Sequence, residues 1–447
     1  MMNTPICDFV RQYNQKNMTR GHMPGHKGVD ILGMEHLDIT EIQGADSLYE
    51  ADGIIRESEE NASRLFGCTT YYSTEGSTQC IKSMVYLAMQ WAKKHGKKPL
   101  IAAGRNAHKA FVTAAALMDA DVSWLFPKEG ESYLSCRPTA EEADAFLAAE
   151  KPAALYLTSP DYLGNMADIA GIARVCNKHG VLLMVDNAHG AYLRFLETSL
   201  HPMDLGADIC CDSAHKTLPV LTGGAYLHLS DDMARVFPRP QVKKAMSLFG
   251  STSPSYLILQ SLDKVNELLA NGLPERIRDA ADSQALFNGY FTGEAGHTLA
   301  GNEPLKITVR CKPSGYTGTE LAEILRQEHV ECEFCDPDYL VLMRSVMGDF
   351  WRAMPWERVL LTLKKKTPIT EAPPLFQRPE RVMRIREAVM AESETVPAKD
   401  SLGRILAGVT VGCPPAVPIV VSGERMDAHA LRCFEYYGIS HVDVVKE

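Results

Sequence analysis

The ten residues 181–190, VLLMVDNAHG, decide the fold class of this chain. Five apolar residues in a row are followed directly by a loop that begins with Asp186 and contains His189. An apolar run of this length, without polar alternation, is typical of a strand that is buried on both faces of a parallel sheet. In open α/β folds, ligands bind beyond the carboxyl ends of such strands. The loop after residue 185 is therefore a candidate part of a binding site.

Three further runs of the same kind lie elsewhere in the sequence. They occupy residues 99–103 (PLIAA), 153–157 (AALYL) and 207–211 (ADICC). Helices are predicted over 77–91 and 169–178, and Gly180 stands where a glycine would cap the second helix. Strands that alternate with helices predict an α/β fold with a mainly parallel sheet and right-handed crossovers.

Changes in composition divide the chain into four predicted units. Residues 1–60 are rich in glycine, histidine and acidic residues and are predicted to form an N-terminal arm. A large domain is predicted over 61–285 and a small α+β domain over 286–370, with strand, helix and strand between 305 and 343. A proline-rich connector then leads into a C-terminal domain, 371–447.

The composition excludes two classes of partner. Of 447 residues, 56 are acidic and 46 basic, and this net charge of −10 argues against nucleic acid as the ligand. The apolar runs are far shorter than the roughly 18 residues of a membrane span, and the first residues do not resemble a signal peptide. Twelve cysteines in such a chain are expected to be reduced thiols. We therefore expect a cytoplasmic protein that acts on a small molecule and contacts no membrane.

The residues at the predicted strand ends match the needs of one cofactor, pyridoxal phosphate. It requires a lysine for a Schiff base, a carboxylate at its pyridine nitrogen, a flat side chain against its ring and a phosphate cup. Lys216, Asp186 and His108 meet the first three needs, and residues 73–78 (STEGST) precede a helix whose N–H groups can bind phosphate. Each residue alone is more often a turn or cap residue, so the prediction depends on their combination.

The motifs around these residues resemble those of the bacterial ornithine/lysine/arginine decarboxylases, which are pyridoxal phosphate enzymes. The segment 213–222 (SAHKTLPVLT) is similar to the family's cofactor-attachment signature. The resemblance implies fold type I, the aspartate aminotransferase fold, with a seven-stranded, mainly parallel sheet and a smaller α+β C-terminal part. Other similar segments span nearly the whole chain: 23–28 (MPGHKG), the acidic segment 38–55 (from DITE through GII), 249–256 (FGSTSPSY), 315–318 (GYTG) and 413–415 (CPP).

The resemblance also implies roles for single residues. Lys216 would hold the cofactor, Asp186 would contact the pyridine nitrogen, His108 would stack on the ring and Ala188 would pack beneath it. The other implied cofactor contacts are His189, Gly76, Ser77, Thr78, Ser213, His215, Ser251 and Thr252. The expected catalytic residues are Lys216, His215 and His108.

A homodimer with active sites at the interface is also implied, because enzymes of this family and fold are dimers. Ser251, Thr252 and Ser253 would then reach the phosphate bound by the neighbouring subunit. The motifs begin by residue 22, so we expect the compact branch of the family, which lacks an N-terminal wing domain.

Three positions depart from the family pattern. Gly223 stands where the family usually has glutamine, Gly408 stands where it has glutamate, and Ala416 replaces a glycine. None of these changes removes the lysine, the aspartate or the ring-stacking histidine. They bear on the substrate rather than on the cofactor.

The predicted reaction is decarboxylation of arginine, lysine or ornithine to an amine of polyamine metabolism, with arginine or lysine favoured. Lys216 or His215 would return a proton to the α-carbon. The cationic side chain of the substrate requires carboxylates, and the candidates in the arm are Asp38, Glu41, Asp46 and Glu50. The alternatives are an aminotransferase or another lyase of the same fold, and an inactive, cofactor-binding paralogue or regulator.

Two patterns that could suggest metal binding carry no such prediction. Cys332 and Cys335 form a C-x-x-C pair without a second pair at zinc spacing, so they are interpreted as structural cysteines. His22 and His26 are four residues apart, but Pro24 between them argues against a helix that would bring them together. No metal site is predicted.

Overall fold

The computed structural model describes residues 2–348, 354–375, 377–409 and 415–446. Cys413 and Pro414, which belong to the motif 413–415, lie outside the described residues. Within the described ranges, no helix has both the length and the apolar character that crossing a bilayer requires.

A seven-stranded sheet forms the centre of the fold. In chain order its strands are β1 Thr69–Ser73, β2 Leu100–Gly104, β3 Asp121–Leu125, β4 Ala154–Thr158, β5 Leu182–Asp186, β6 Ile209–Asp212 and β7 Ala225–Leu229. Their order across the sheet is β1-β7-β6-β5-β4-β2-β3. Strand β7 is antiparallel to β1 and β6, and all other neighbouring pairs are parallel. The predicted α/β fold with a mainly parallel sheet is confirmed.

Helices surround this sheet, and its apolar side chains are buried in clusters on its faces. They are α1 Pro5–Gln15, α2 Ile54–Phe66, α3 Gly76–Lys94, α4 Lys109–Met118, α5 Ala140–Glu150, α6 Ile169–His179, α7 Ala214–Thr217, α8 Asp231–Val236, α9 Arg239–Ser247, α10 Tyr256–Ala270 and α11 Leu273–Gly293. Helix α6 ends at Gly180, which has a φ of 59°, as the sequence predicts. Since only glycine adopts this left-handed conformation at little cost, Gly180 ends the helix cleanly.

The structure contains three strands of the large sheet that the sequence pattern does not predict. Strand β3 lies at one edge, so only part of it is buried and it shows no continuous apolar run. Strand β1 (TTYYS) is almost fully buried but contains threonine, serine and tyrosine. The criterion of an unbroken aliphatic run identifies central strands and misses these two edge strands. It also misses the buried β7, whose run is interrupted by His228.

The carboxylate of Asp263, which is buried, binds the N-terminal segment to the large domain. Asp263 on α10 accepts hydrogen bonds from the backbone N–H groups of Ile6 and Cys7, both at 3.0 Å. It also accepts one from the hydroxyl of Ser58 on α2, at 2.6 Å. These bonds tie the start of α1 to α2 and α10.

A second, antiparallel sheet follows α11. Its strands are β8 Thr298–Ala300, β9 Lys306–Arg310, β10 Phe334–Cys335 and β11 Tyr339–Met343, in the order β10-β11-β9-β8. Helices α12 Gly318–Gln327 and α13 Pro355–Thr362 belong to the same unit. Strands β9 and β11 and helix α12 lie where the sequence predicts strand, strand and helix.

The C-terminal part contains α14 Ile385–Met390, β12 Ser393–Pro397, α15 Ala428–Tyr436 and β13 His441–Val445. Strands β12 and β13 form an antiparallel pair. Arg105, which follows β2, joins this part to the large sheet. Its guanidinium group donates to the carbonyl groups of Pro418 and Ile419, both at 2.9 Å, and forms an ion pair with Glu424 at 2.8 Å.

Candidate active site

The four strand ends selected from the sequence are neighbours in the structure. Strands β6, β5, β4 and β2 lie next to one another in this order. Because they are parallel, the loops that follow them meet at one edge of the sheet. This edge carries Asp186 at the end of β5, His108 before α4, and Lys216 on the short helix α7 after β6.

Lys216 lies beside His189. The Lys216 Nζ atom is 3.1 Å from the Nε2 atom of His189, which is buried in the loop after β5. Burial, and then the charge of Lys216, hold the pKa of His189 well below its usual value, so this imidazole is neutral. Its Nδ1 atom is buried and has no hydrogen-bond partner among the described residues.

Asp186 presents a buried carboxylate to the same region. The hydroxyl of Tyr156 donates to its Oδ2 atom at 2.8 Å, and the backbone N–H of Ala188 donates to its Oδ1 atom at 3.2 Å. Burial raises the pKa of Asp186, while the Tyr156 hydrogen bond and the charge of Lys216 oppose this rise. A carboxylate in this setting is stabilised by any further positive charge that binds next to it.

His108 has a fixed orientation because it caps helix α4. Its Nδ1 atom accepts a hydrogen bond from the backbone N–H of Ala110 at 3.0 Å, so the proton of the neutral ring lies on Nε2. Burial, then Lys216 and then Lys109 lower the pKa of His108 to about 4. The residue therefore presents a neutral, flat ring near Lys216.

His215 precedes Lys216 and is bonded to the carbonyl oxygen of Gly224. Its Nδ1 atom lies 2.9 Å from this carbonyl oxygen and must carry the proton that it donates. In the neutral ring, the Nε2 atom is therefore the acceptor. Burial lowers the pKa of His215, and the nearby Glu333 opposes this effect. The Nε2 atom can therefore take up a proton and release it readily.

The first turn of α3 has the features of an anion-binding site. Gly76 has a φ of 67°, and a Cβ atom added there would meet no atom within 4 Å, so the space beside it is open. Thr78 is exposed, and the Ser77 hydroxyl accepts a hydrogen bond from Ser213 at 2.8 Å, which joins this turn to the start of α7. The Oγ1 atom of Thr74 is buried and has no partner among the described residues. A helix N-terminus with unused donors suits a phosphate.

Gly223 lies directly behind this turn, which gives a physical account of its departure from the family pattern. Its carbonyl oxygen accepts a hydrogen bond from Gly76 N–H at 2.7 Å. Its φ is 101°, and a Cβ atom there would lie 2.9 Å from the carbonyl oxygen of Thr74. A side chain at this position would push against the backbone of the candidate phosphate site.

The other two departures lie in the C-terminal part. Ala416 has a φ of 55°, a conformation that suits the glycine expected there, and its carbonyl oxygen accepts from Lys109 N–H at 2.8 Å. A Cβ atom on Gly408 would lie 3.4 Å from a carboxylate oxygen of Asp443. Ala416 therefore contacts the loop that carries His108.

Several predicted residues lie apart from this group. Ser251 and Thr252 are exposed on the loop between α9 and α10, and their predicted role in a neighbouring subunit's site stays a prediction.

Asp46 is buried, and its Oδ2 atom accepts hydrogen bonds from the backbone N–H groups of Gly53 at 2.9 Å and Ile55 at 3.0 Å. Asp46 therefore caps α2 and has little capacity left for a substrate. The other three acidic candidates of the arm are bonded within it: Asp38 to His26, Glu41 to Thr40 and Glu50 to Ser47.

Two residues near the site carry no prediction from the sequence. The Tyr162 hydroxyl donates to the Oε1 atom of Glu333 at 2.8 Å, and the Tyr162 ring packs edge-on against His189, with centroids 5.2 Å apart. Tyr162 follows β4, and that strand end is its only sequence signal. Glu333 directly precedes β10 of the small sheet and lies between Cys332 and Cys335 in the sequence.

A fully buried network of hydrogen bonds around Asp212 fixes the loop between Asp186 and His189. Asp212, at the end of β6, accepts hydrogen bonds on Oδ2 from His201 at 3.0 Å and His228 at 3.1 Å. Its Oδ1 atom accepts from the side-chain amide of Asn187 at 2.7 Å. Burial opposes ionisation, yet the two imidazoles lower the pKa of Asp212. The network holds Asn187, and with it the loop between Asp186 and His189.

Comparisons with known proteins agree with this architecture. The family model "Orn/Lys/Arg decarboxylase, major domain" matches residues 4–281, and the C-terminal domain model of the same family matches 370–441. An arginine decarboxylase of Halalkalibacterium halodurans is 30% identical over 457 residues, covering 94% of this chain and 90% of the relative.

Solved structures show the same fold. A lysine decarboxylase of Francisella novicida superposes with a TM-score of 0.79 at 16% identity, covering 99% of this chain and 81% of the other. An alanine–glyoxylate aminotransferase of Nostoc sp. gives a TM-score of 0.54 at 18% identity, covering 68% and 86%. The fold type I implied by the sequence is thereby confirmed. The chain belongs to the Orn/Lys/Arg decarboxylase family.

Proposed function

We propose that this protein uses pyridoxal phosphate, carried by Lys216, to decarboxylate a basic amino acid. The observation that carries the proposal is that Lys216 and the buried carboxylate of Asp186 follow or end two adjacent strands, so that the charge of Lys216 acts on Asp186, in a chain of a decarboxylase family. Arginine is our first candidate substrate, because a relative of nearly equal length is named arginine decarboxylase. Lysine and ornithine are the alternatives.

The residues around Lys216 fit this cofactor. The turn of Gly76 offers open space, a helix N-terminus and the unused hydroxyl of Thr74 for a phosphate. Asp186 can pair with a protonated ring nitrogen, and His108 provides a flat neutral ring. The buried Nδ1 atom of His189 has no partner among the described residues and can bond to a polar ligand.

When bound, pyridoxal phosphate supplies a positively charged ring that accepts the electron pair left by the departing carboxylate. Asp186 stabilises that positive charge from its buried position. His189 contacts the side-chain nitrogen of Lys216 through Nε2 and orients it. His215 holds a proton at Nε2 and returns it to the α-carbon, because burial makes its protonated form a ready donor. Lys216 is the second candidate donor.

Glu333, and not the acidic arm, is the carboxylate that we propose for the cationic end of the substrate. Its charge acts on His215, where it opposes the lowering of the pKa by burial. The hydroxyl of Tyr162 fixes its Oε1 atom at 2.8 Å. Replacing Glu333 with glutamine should raise KM for a basic substrate far more than it lowers kcat, because the lost ion pair is made before the reaction.

We further propose a homodimer in the cytoplasm. The exposed hydroxyls of Ser251 and Thr252 are available to a second copy of the chain. The eleven cysteines within the described residues are all free thiols, which suits a reducing compartment. Sedimentation of the purified protein and of a variant with both hydroxyl residues changed to alanine would test the first point.

An amine-release screen tests the proposed reaction. The cofactor-loaded protein is incubated separately with arginine, lysine and ornithine, and CO2, amine and keto acid are measured. We expect CO2 and amine in equal amounts from one substrate, and both should vanish in Lys216→Ala together with the visible absorption of the lysine-bound cofactor. Keto acid without CO2 would instead indicate an aminotransferase. A normal spectrum without turnover of any of the three would indicate a regulator or inactive paralogue.

A further inference from the structure

A cavity that Lys216 does not line is found where the small sheet meets the C-terminal part. It has a volume of about 720 Å³, which is within the range of small-molecule sites. Three parts of the chain form its walls: the loop that holds Tyr133, the turn after β10 with Asp336, and the end of α15 with Tyr436 and Tyr437. The cavity therefore depends on the packing of all three units.

Aromatic rings line one side of this cavity. The ring of Tyr437 lies edge-on to Tyr133 and to Tyr436, with centroids 4.9 Å apart in both pairs. Faces of tyrosine rings attract cations through their quadrupole, by about 0.5–1 kcal/mol at exposed sites and more where water is excluded. This wall suits an organic cation with aliphatic groups.

A carboxylate without a cationic partner lies in the same wall. Asp336 is only 7% exposed, and its Oδ1 atom accepts the backbone N–H groups of Asp338 and Tyr339, both at 2.7 Å. Its Oδ2 atom has no hydrogen-bond partner among the residues that the structure describes. Burial raises the pKa of Asp336 to about 7. A buried carboxylate of this kind is costly unless a positive charge joins it.

The nearest buried lysine does not compensate Asp336, because it is engaged elsewhere. Lys312 forms an ion pair with the Oδ1 atom of Asp338 at 3.0 Å and donates to the carbonyl oxygen of Glu371 at 2.7 Å. The hydroxyl of Tyr436 also donates to Asp338, at 2.8 Å. Lys312 balances only one of the two adjacent aspartates.

Two aromatic rings stand between this cavity and Lys216. Phe334, which lines the cavity, packs edge-on against Tyr162 with centroids 5.3 Å apart. Tyr162 in turn contacts His189, which is bonded to Lys216. The cavity therefore adjoins the candidate active site without sharing its lysine.

We propose that this cavity binds an aliphatic guanidinium or ammonium ion, with Asp336 as its charge partner and the rings of Tyr133 and Tyr437 as its walls. The ligand belongs to the chemical class of the substrates and products of the proposed decarboxylation, and only this assignment rests on the proposed function. The site includes the turn after β10, the strand that Glu333 precedes.

Butylguanidinium is the probe for this site, and butylurea is its neutral isostere. Neither has a primary amine, so neither can react with the aldehyde of the cofactor. Calorimetric titration of the cofactor-loaded protein at pH 8, where Asp336 is ionised, should show binding of butylguanidinium and none of butylurea at equal concentration. Asp336→Asn keeps the oxygen that accepts the two backbone N–H groups and should weaken binding by about tenfold or more.

Three variants serve as controls. Glu331→Gln removes an exposed carboxylate before β10, where it pairs with Arg326, and should leave the affinity unchanged. Tyr437→Leu should weaken binding severalfold, and Tyr437→Phe should restore it, since the ring and not the hydroxyl is required. These two variants test the site even if Asp336→Asn does not fold.

The proposal would be overturned if Asp336→Asn and the unchanged protein bound butylguanidinium with equal affinity. It would also be overturned if the unchanged protein bound butylurea as tightly as butylguanidinium. Loss of binding in Glu333→Gln but not in Asp336→Asn would assign the cation to the active site instead. Because the titration involves no turnover, a protein inactive on all three amino acids can still bind the probe. Failure of the proposed reaction and failure of this site are therefore distinguishable.

Discussion

Replacing Arg105 is expected to loosen the C-terminal part from the large sheet. Arg105 is 1% exposed, and its guanidinium group binds two carbonyl groups and the carboxylate of Glu424. Methionine fills a similar volume but supplies no donors. In Arg105→Met, Glu424 would remain buried with only the backbone N–H of Val421 as a described donor.

The size of the effect follows from the loss of one partner of a buried ion pair, which typically costs about 3–5 kcal/mol. Changing both partners, in Arg105→Met with Glu424→Gln, removes the unpaired charge. The remaining cost is that of two unsatisfied carbonyl groups, about 1–2 kcal/mol in total when water reaches them. The double variant should therefore be more stable than Arg105→Met by about 2 kcal/mol.

Unfolding in urea, followed by tryptophan fluorescence, measures this difference, because the Arg105 guanidinium lies 5.4 Å from the centre of the Trp124 ring. We also expect Arg105→Met to lower decarboxylase activity. Ala416 is close in sequence to the carbonyl groups that Arg105 binds, and its own carbonyl oxygen accepts a hydrogen bond from the N–H of Lys109, next to His108. A double variant as unstable as the sum of the two single variants would refute the reasoning, because it would mean that the two charges do not interact.

Three further outcomes can be measured. Asp186→Asn should lower kcat by about a hundredfold or more with little change in KM, because the stabilising charge acts on the transition state; a change in KM alone would contradict its assignment. Ala416→Gly should raise the free energy of unfolding by about 0.5–1 kcal/mol, since glycine removes left-handed strain but adds chain entropy when unfolded; a loss of stability would show that Ala416 is unstrained. The pKa of His108 is about 4 in the folded protein and about 6.5 when unfolded, so the unfolded chain binds the extra proton first as the pH falls. Stability should therefore be lost between about pH 6.5 and 4, and His108→Gln should lose less between pH 7 and pH 5; equal losses would rule out this titration.

The sequence predicts the central part of the molecule well, because its signals are local. An unbroken apolar run marks β5, and the polar residue that ends it is Asp186. Lys216 lies in a continuous motif, so its position next to the end of β6 requires no knowledge of distant contacts.

The remaining site features depend on contacts between residues far apart in the chain. Glu333 approaches His215 from a different sheet, and no spacing rule links the two residues. Asp46 belongs to an acidic stretch that suggests substrate binding, yet its carboxylate binds the backbone at the start of α2. The charge of a side chain is visible in the sequence, but its hydrogen-bond partners depend on tertiary packing.

The contact between Gly223 and the Gly76 turn has an evolutionary consequence. Glutamine at position 223, as in the family pattern, would bring a Cβ atom to 2.9 Å from the carbonyl oxygen of Thr74. Restoring glutamine would therefore require a compensating change in the turn at residues 73–78. Glycine at position 223 and the geometry of this turn are therefore expected to change together, so related chains that share the glycine should share the turn as well.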